Sequence, residues 1–198
     1  MEKDLNIDFF GIKTNNEIPE KGKVLISEPF SQDMYFKRSI VLLAECNEDG
    51  AIGFILNKPI DIKLNDVISN FPKFDTNVSL GGPVNADRIF FIHTLGSEIL
   101  PGSIKIFEDI YWGGDFFKVK DFIKKGLINK SQIRFFLGYS GWSQGQLDNE
   151  LKNNYWLVSN IKDNQVFDIY SDIWKQSVEN LDEQYKIWLN FPENPAHN

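Results

Sequence analysis

Cysteine, histidine and methionine are nearly absent: one, two and two among 198 residues. A single cysteine, Cys46, cannot close an intramolecular disulfide, which fits a reducing cytoplasm. With only His93 and His197 beside it, no His/Cys metal site is expected, and no segment has EF-hand spacing. No apolar stretch approaches the length of a membrane span, so no membrane segment is expected. No apolar run follows the charged first residues, so no signal peptide is expected. Long runs of lysine and arginine are also missing. Twenty-eight acidic residues against 21 basic ones give a formal net charge of -7. That balance opposes direct nucleic-acid binding, which needs a basic surface to neutralise phosphates. The nearest basic cluster, Lys118, Lys120, Lys124 and Lys125, falls on an expected helix as its solvated face. Neither G-x-G-x-x-G nor G-x-x-x-x-G-K-[ST] occurs, so no dinucleotide or P-loop site is indicated, and no cofactor is expected.

Aromatic residues, by contrast, are plentiful. Seventeen phenylalanines and five tryptophans can fill the core of one domain of this length. The pattern divides the chain into an arm over 1–21, a domain over 22–190 and a tail over 191–198. The arm holds one apolar island, Phe9-Phe10, able to dock it. Strands are expected at Val24 to Ser27, Ser39 to Glu45 and Ala51 to Leu56. The second is a continuous apolar run, hence buried on both faces. Asn47-Glu48-Asp49-Gly50 joins the last two as a hairpin. Further strands are expected at Val78 to Leu80, Arg88 to His93, Ile133 to Tyr139, Trp156 to Ser159 and Gln165 to Ile169. Helical spacing marks Leu64 to Phe71, Phe116 to Lys125, Gln144 to Asn153 and Ile173 to Leu189. Strands outnumber helices and do not alternate with them regularly, which predicts an α+β domain.

The segment Arg134 to Leu151, RFFLGYSGWSQGQLDNEL, reads as strand, glycine-rich turn and helix. Within it Gly141-Trp142-Ser143-Gln144-Gly145 fits the G-x-S-x-G pattern of a hydrolase nucleophile elbow. A hydrolase would then need an acid and a histidine downstream. Asp148, Asp163, Asp168, Asp172 and Asp182 follow, but the only downstream histidine is His197, one residue from the end. A frayed tail holds a general base poorly. The glycines are better read as shaping a tight turn, with Ser143 capping the helix. Gly81-Gly82-Pro83 and Gly113-Gly114-Asp115 are two more glycine turns, and Asp115 is placed to cap a helix. Arg38, Arg88 and Arg134 each lie near a strand start. They read as a structural ion-pair network in preference to an anion-binding rim. Cys46, between Glu45 and Glu48, reads as an inert thiol with a raised pKa.

Five blocks resemble the YqgE/AlgH family of bacterial proteins: Gly22 to Glu45, Gly50 to Pro59, Ser79 to His93, Ile110 to Asp115 and Arg134 to Val158. The resemblance implies a cytosolic α+β protein, a single domain with a largely antiparallel bent sheet approaching a pseudo-barrel and helices packed around it. It also implies that the position of Ser143 is not restricted to serine, which argues against a nucleophile there. Family members are often labelled transcriptional regulators. The resemblance supplies no enzymatic activity.

The expected function is therefore a non-enzymatic, cytoplasmic binding or regulatory role, with a small molecule or a protein as partner. Its site is expected where the three glycine turns meet, built from Asn57, Gly81, Gly82, Arg88, His93, Asp115, Trp142, Gln146 and Glu150. Trp142 would be an aromatic platform, Gln146 and Asn57 amide hydrogen-bonders, and Arg88 a charged anchor. The rival expectation is an enzyme using His93 with Asp115 or Glu150 as its acid/base pair.

Overall fold

The structure, a computed structural model, describes residues 13–31 and 33–191. The Phe9-Phe10 island, His197 and the tail beyond residue 191 lie outside the described residues. Ten strands form one sheet system: β1 (Val24–Ser27), β2 (Ile40–Asn47), β3 (Gly50–Ile55), β4 (Pro59–Lys63), β5 (Asn77–Leu80), β6 (Val84–His93), β7 (Ser103–Phe107), β8 (Ile110–Gly113), β9 (Ile133–Ser143) and β10 (Trp156–Ser159). The helices are α1 (Leu64–Val67), α2 (Phe116–Lys124), α3 (Gln146–Lys152), α4 (Asp163–Phe167) and α5 (Ile173–Glu179), followed by a 3-10 helix over Glu183–Asn190.

The main path runs β10-β1-β2-β3-β9-β6-β8-β7 and does not close into a barrel. Its pairs are antiparallel, and β4 joins through β5, which runs parallel to β9. The path bends enough that Gly22, before β1, packs against the Phe107 side chain at the end of β7. The expected α+β class, single domain and bent antiparallel sheet are thus present.

β9 organises the sheet. Ile133 to Tyr139 pairs with β6, while Ser140 to Ser143 pairs with β3. The strand crosses between partners at Gly138, whose φ of 66° is left-handed. A Cβ there would lie 2.4 Å from the Gly82 carbonyl oxygen. Reciprocally, a Cβ on Gly81 would lie 2.2 Å from the Gly138 oxygen. Glycine is needed where two backbones press together this closely. The expected turn within Gly138 to Trp142 is therefore a correction: these residues continue the strand, and the turn comes at Gln144-Gly145.

Three apolar clusters flank the sheet. Alternation sorts β1 and β2 residues between two of them: Val24, Ile26, Ile40 and Leu42 face one, while Leu25, Val41 and Leu43 face the other. Both faces of these strands are therefore buried, as the continuous apolar run predicts. The first cluster is closed by Val166, Trp174, Val178, Tyr185 and Trp188 from the C-terminal helices. The second lies under α2, which buries Val119 and Ile123 at i, i+4 spacing. The third lies under α3, through Leu147 and Leu151.

Three helical or strand expectations fail locally. The helix expected over Leu64 to Phe71 stops at Val67. The Asn65 side chain instead bonds Phe71 O, Pro72 O and Phe74 N, tying down the loop that follows. Gln165 to Ile169 is not a strand. Gln165 accepts from the Lys162 N–H at 3.1 Å, capping α4. The helix expected over Ile173 to Leu189 breaks at Asn180 and resumes in 3-10 form. At the free edge, Asn15 stands in for a neighbouring strand: its amide donates to Val158 O at 2.6 Å and accepts from Val158 N at 3.1 Å.

Candidate ligand-binding cleft

The loop from β1 to β2 is built by short-range hydrogen bonds. Ser27 Oγ donates to Phe36 O and accepts from Ser39 N at 2.7 Å, and Ser39 Oγ donates to Tyr35 O at 2.8 Å. The loop ends on Arg38, whose φ of 51° is a left-handed conformation costing a long side chain on the order of 1–3 kcal/mol. Asn57 fixes that conformation. Its Nδ2 donates to Arg38 O at 2.7 Å, and its Oδ1 accepts from Ile40 N at 2.9 Å. Lys58 Nζ adds a bond to Lys37 O at 2.9 Å. Two sequence-distant dipeptides, Lys37-Arg38 and Asn57-Lys58, are thereby fastened into one wall.

The facing wall comes from the start of α5. Asp168 Oδ1 accepts from the N–H groups of Tyr170 and Ser171, and these bonds hold its carboxyl below the usual range. Asp172 caps α5 by accepting from Lys175 N at 3.0 Å. Trp174 donates to Ser27 O at 2.9 Å, stacks on Trp188, and carries the Arg38 guanidinium 4.6 Å from its ring centroid. Arg38 also donates to Phe191 O, and its buried Nε has no partner among the described residues. Between the walls lies a cleft of about 380 Å³, lined by Lys37, Arg38, Asn57, Lys58, Ser171, Asp172 and Trp174.

Arg134 supports the cleft from beneath. It is 5% exposed and donates to Leu56 O at 2.5 Å, Val166 O at 2.8 Å and Ser79 Oγ at 2.9 Å. It thus ties the residue before Asn57 to α4. Burial draws its guanidinium down to about 10, against the pull of Asp168. The expected arginine ion-pair network is a correction: every ion pair among the described residues uses lysine. Arg134 binds carbonyls and a hydroxyl, Arg38 binds a carbonyl and a ring, and Arg88 lies exposed in the bulged part of β6.

The nine expected site residues do not assemble into one pocket. Asn57 alone lines the cleft. Gly81 and Gly82 press on β9, with Gly81 N donating to Leu137 O at 2.8 Å. His93 sits at the other end of β6, opposite Ile133, whereas Val84 after the first glycine turn pairs Tyr139. Six residues of strand separate those positions, about 20 Å. The Gly113-Gly114-Asp115 turn joins His93, so two of the three turns stand at opposite ends of one strand pair.

His93 is fully buried. Its Nδ1 accepts from Leu95 N at 3.1 Å, which leaves the proton on Nε2, facing Gly113 O at 3.1 Å and Ser103 Oγ at 2.9 Å. Desolvation lowers its pKa to about 4, partly offset by the Gly113 bond. The expected acid/base pair is not formed. Asp115 caps α2 through Phe117 N and Lys118 N, and Glu150 binds indoles. Trp142, expected as an exposed platform, is only 6% exposed, because β9 continues through it into the third cluster. Gln146 accepts from Ser143 N and Oγ and donates to Glu150. The Ser143 hydroxyl is therefore bonded to an amide and has no histidine beside it among the described residues. Cys46 is half-buried, and burial is the first cause of its raised pKa, followed by Asp148 and Glu20, not its sequence neighbours.

An AlgH-like family model matches residues 24–186. The chain belongs to the AlgH-like family. Bacterial UPF0301 proteins match most of the chain. One from Parabacteroides distasonis is 44% identical over 96% of this chain and 98% of its own. Another, from Bacteroides thetaiotaomicron, is 44% identical over 98% of this chain and 99% of its own. The solution structure of AlgH from Pseudomonas aeruginosa superposes with TM-score 0.65 at 28% identity, over 80% of this chain and 86% of that one. A crystal structure of a Corynebacterium diphtheriae protein gives TM-score 0.73 at 21% identity, over 92% of this chain and 97% of that one, a likeness of fold. The AlgH-like match covers β1 through the start of the 3-10 helix, and so spans both walls of the cleft. Sequence reasoning missed Lys37, Lys58, Asp172 and Trp174. The basic doublet Lys37-Arg38, just before the apolar run Ile40 to Ala44, is the available signal.

Proposed function

We propose that this AlgH-like protein is a non-enzymatic, cytoplasmic binding protein that takes a small polar ligand in the cleft between Lys37-Arg38/Asn57-Lys58 and Ser171-Asp172. One observation carries the reading. Arg38 is held in a left-handed backbone conformation at the cleft wall by a dedicated Asn57 side chain. Strain of this kind on a non-glycine residue concentrates at ligand sites, where surrounding structure is used to hold it. The volume falls in the range of small-molecule sites. Supporting the cytoplasmic reading is the free Cys46. Among the described residues no helix is long and apolar enough to cross a membrane.

Any regulatory role would then run through ligand or partner, not through DNA, given the net charge of -7. A protein partner is the second reading. It is favoured by Met34 and Tyr170, 89% and 93% exposed, on the two loops that lead into the cleft walls. Amide chemical-shift mapping with a mixed panel of neutral sugars, carboxylates and phosphates tests the first reading. Shifts concentrated at Arg38, Asn57 and Trp174 are expected. A panel that leaves those resonances unmoved rejects it. Absence of duplex binding at low salt is expected throughout.

A further inference from the structure

We propose that the outer edge of β10 is a docking site for an extended basic segment of a partner protein, added as an antiparallel strand in place of residues 13–17. The site is independent of the ligand cleft and uses none of its residues. The hydrogen bonding at the edge comes first. Asn15 Oδ1 accepts from Val158 N at 3.1 Å, and its Nδ2 donates to Val158 O at 2.6 Å. One side chain thus makes the two bonds that a single residue of an antiparallel neighbour would exchange with Val158. Thr14 Oγ1 likewise donates to Trp156 O at 3.3 Å, two residues along, where the next outward group of the strand falls. Residues 13–17 form no strand of their own. The edge is therefore covered by side chains, which a main chain in register can replace bond for bond.

A cavity beside the edge sets the chemistry of the segment. About 210 Å³ lies between the end of β10 and the 3-10 helix, with Ser159, Asn160, Asn180, Asp182 and Tyr185 in its lining. That equals roughly seven water volumes at about 30 Å³ each, room for one long side chain. The lining has two carboxylates, Glu17 and Asp182, and no lysine or arginine. Glu17 pairs with Lys23 at 3.4 Å and belongs to the displaced segment. Asp182 begins the 3-10 helix without a capping bond and makes no ion pair among the described residues. Its acidic sequence neighbours, Glu179 and Glu183, are each paired with a lysine. Asp182 is thus the unmatched carboxylate of the lining, and an incoming lysine or arginine matches it.

Register ties the edge to the cavity. Val158 faces the third cluster, whereas Leu157 faces the first, together with Tyr185 and Leu181. Alternation puts Ser159 on the side of Leu157, where it lines the cavity. In an antiparallel segment the residue opposite Ser159 comes directly before the one opposite Val158. The basic side chain therefore stands one position ahead of the residue that replaces Asn15.

The test titrates the full-length ¹⁵N-labelled protein with the peptide acetyl-Ser-Thr-Val-Lys-Val-Thr-Ser-amide. Two control peptides carry Glu in place of Lys, or an N-methyl group on the valine after Lys. The parent peptide is expected to shift the Val158 and Ser159 amides of the wild-type protein. Asn15→Ala, which removes the competing side chain, is expected to tighten binding at least about tenfold. Each control peptide is expected to bind at least about tenfold more weakly. Asp182→Asn is expected to weaken the Lys peptide about tenfold with an unchanged unfolding midpoint. Equal binding of the N-methylated peptide overturns strand addition. Equal binding of the Lys and Glu peptides, with Asp182→Asn silent, overturns the basic segment. Dimerisation of Asn15→Ala in sedimentation velocity that excess peptide leaves unchanged assigns the edge to a second copy of this chain and overturns the partner. Unmoved Val158 and Ser159 amides in both proteins at about 1 mM peptide remove the docking edge itself.

Discussion

Glu150 Oε2 accepts hydrogen bonds from two indoles at once, Trp142 Nε1 and Trp156 Nε1, each at 2.8 Å. Its other oxygen accepts from Gln146 at 2.9 Å. One carboxylate on α3 thereby satisfies a buried donor from β9 and another from β10, whose rings meet edge to face at 5.9 Å. Glu150→Ala leaves two indole N–H groups inside the third cluster without an acceptor. Each such orphan costs about 1–3 kcal/mol, so a loss of about 2–6 kcal/mol is expected. Glu150→Gln keeps one acceptor oxygen and is expected to cost about 1 kcal/mol. Urea unfolding followed by tryptophan fluorescence, at constant m, measures both.

His93 makes stability depend on acid. Its pKa is about 4 when folded, against an ordinary 6.5, because burial disfavours the imidazolium. Between those values the unfolded chain binds a proton that the folded chain refuses. Stability is therefore fully present above pH 6.5 and is lost as pH falls toward 4. A shift of that size corresponds to about 3 kcal/mol. Unfolding midpoints at pH 7, 5.5 and 4.5 should fall in order, and His93→Gln should flatten that trend. A wild-type slope no steeper than the variant's would contradict a neutral buried imidazole.

Close backbone approach makes a third expectation. Gly82 has φ of 153°, and a Cβ on it would meet the Tyr139 carbonyl carbon at 2.3 Å. Backbone cannot yield as a flexible side chain does, so Gly82→Ala is expected to cost at least about 2 kcal/mol. Gly126 also has a left-handed φ, 69°, but opens onto free space. Gly126→Ala should cost only about 1 kcal/mol. Comparable losses at the two positions would show that conformation, not contact, dominates at Gly82.

The same glycines mark what the sequence could and could not reveal. Period and apolar content locate β1, β2, β3, β10 and α2 within a few residues, because burial on one face or both writes itself into hydrophobic spacing. The role of Gly138 was hidden: a glycine before a helix looks alike whether it turns the chain or lets another segment lie on it. Side chains that bond backbone were equally silent. Asn65 shortens α1 and Gln165 starts α4 through bonds that no periodicity records. The site was less legible than the fold. Asn57 was identified, but as a ligand contact, when its amide is used to hold Arg38. The partner wall, Ser171 to Trp174, lies more than a hundred residues along the chain, and only the folded sheet brings it near. Trp142, Gln146 and Glu150, expected at the meeting of the three glycine turns, are bonded to one another instead.

Arg134 separates charge from geometry. Its guanidinium reaches three acceptors, Leu56 O, Val166 O and Ser79 Oγ, from a position 5% exposed. Arg134→Lys keeps a positive charge but offers one nitrogen where three acceptors are spread, and burial penalises its compact ammonium more heavily. A loss of about 2–4 kcal/mol is expected. Because Leu56 precedes Asn57, the variant should also shift the Arg38 amide resonance while the fold persists. An unfolding midpoint within about 0.5 kcal/mol of wild type would mean those acceptors find water.

Asn15 closes the β10 edge with a side chain, which makes a local expectation distinct from the global ones. Val158 N–H points away from β1 into the Asn15 amide at 3.1 Å, and Val158 O accepts from that same amide. Thr14 adds bonds to Asn154 Oδ1 and Trp156 O, and Tyr185 OH one to Lys13 O, so this short segment is held by hydrogen bonds outside the strand ladder. Segments of that kind open independently of the whole domain. Asn15→Ala should therefore accelerate exchange of the Val158 amide proton at least about tenfold, equivalent to about 1.4 kcal/mol of local protection. Amides of β1 and β2, buried on both faces, should keep the exchange rates of the parent protein. If their rates rose equally, the edge would be part of the cooperative core, and an arm that lifts without unfolding the sheet would be excluded.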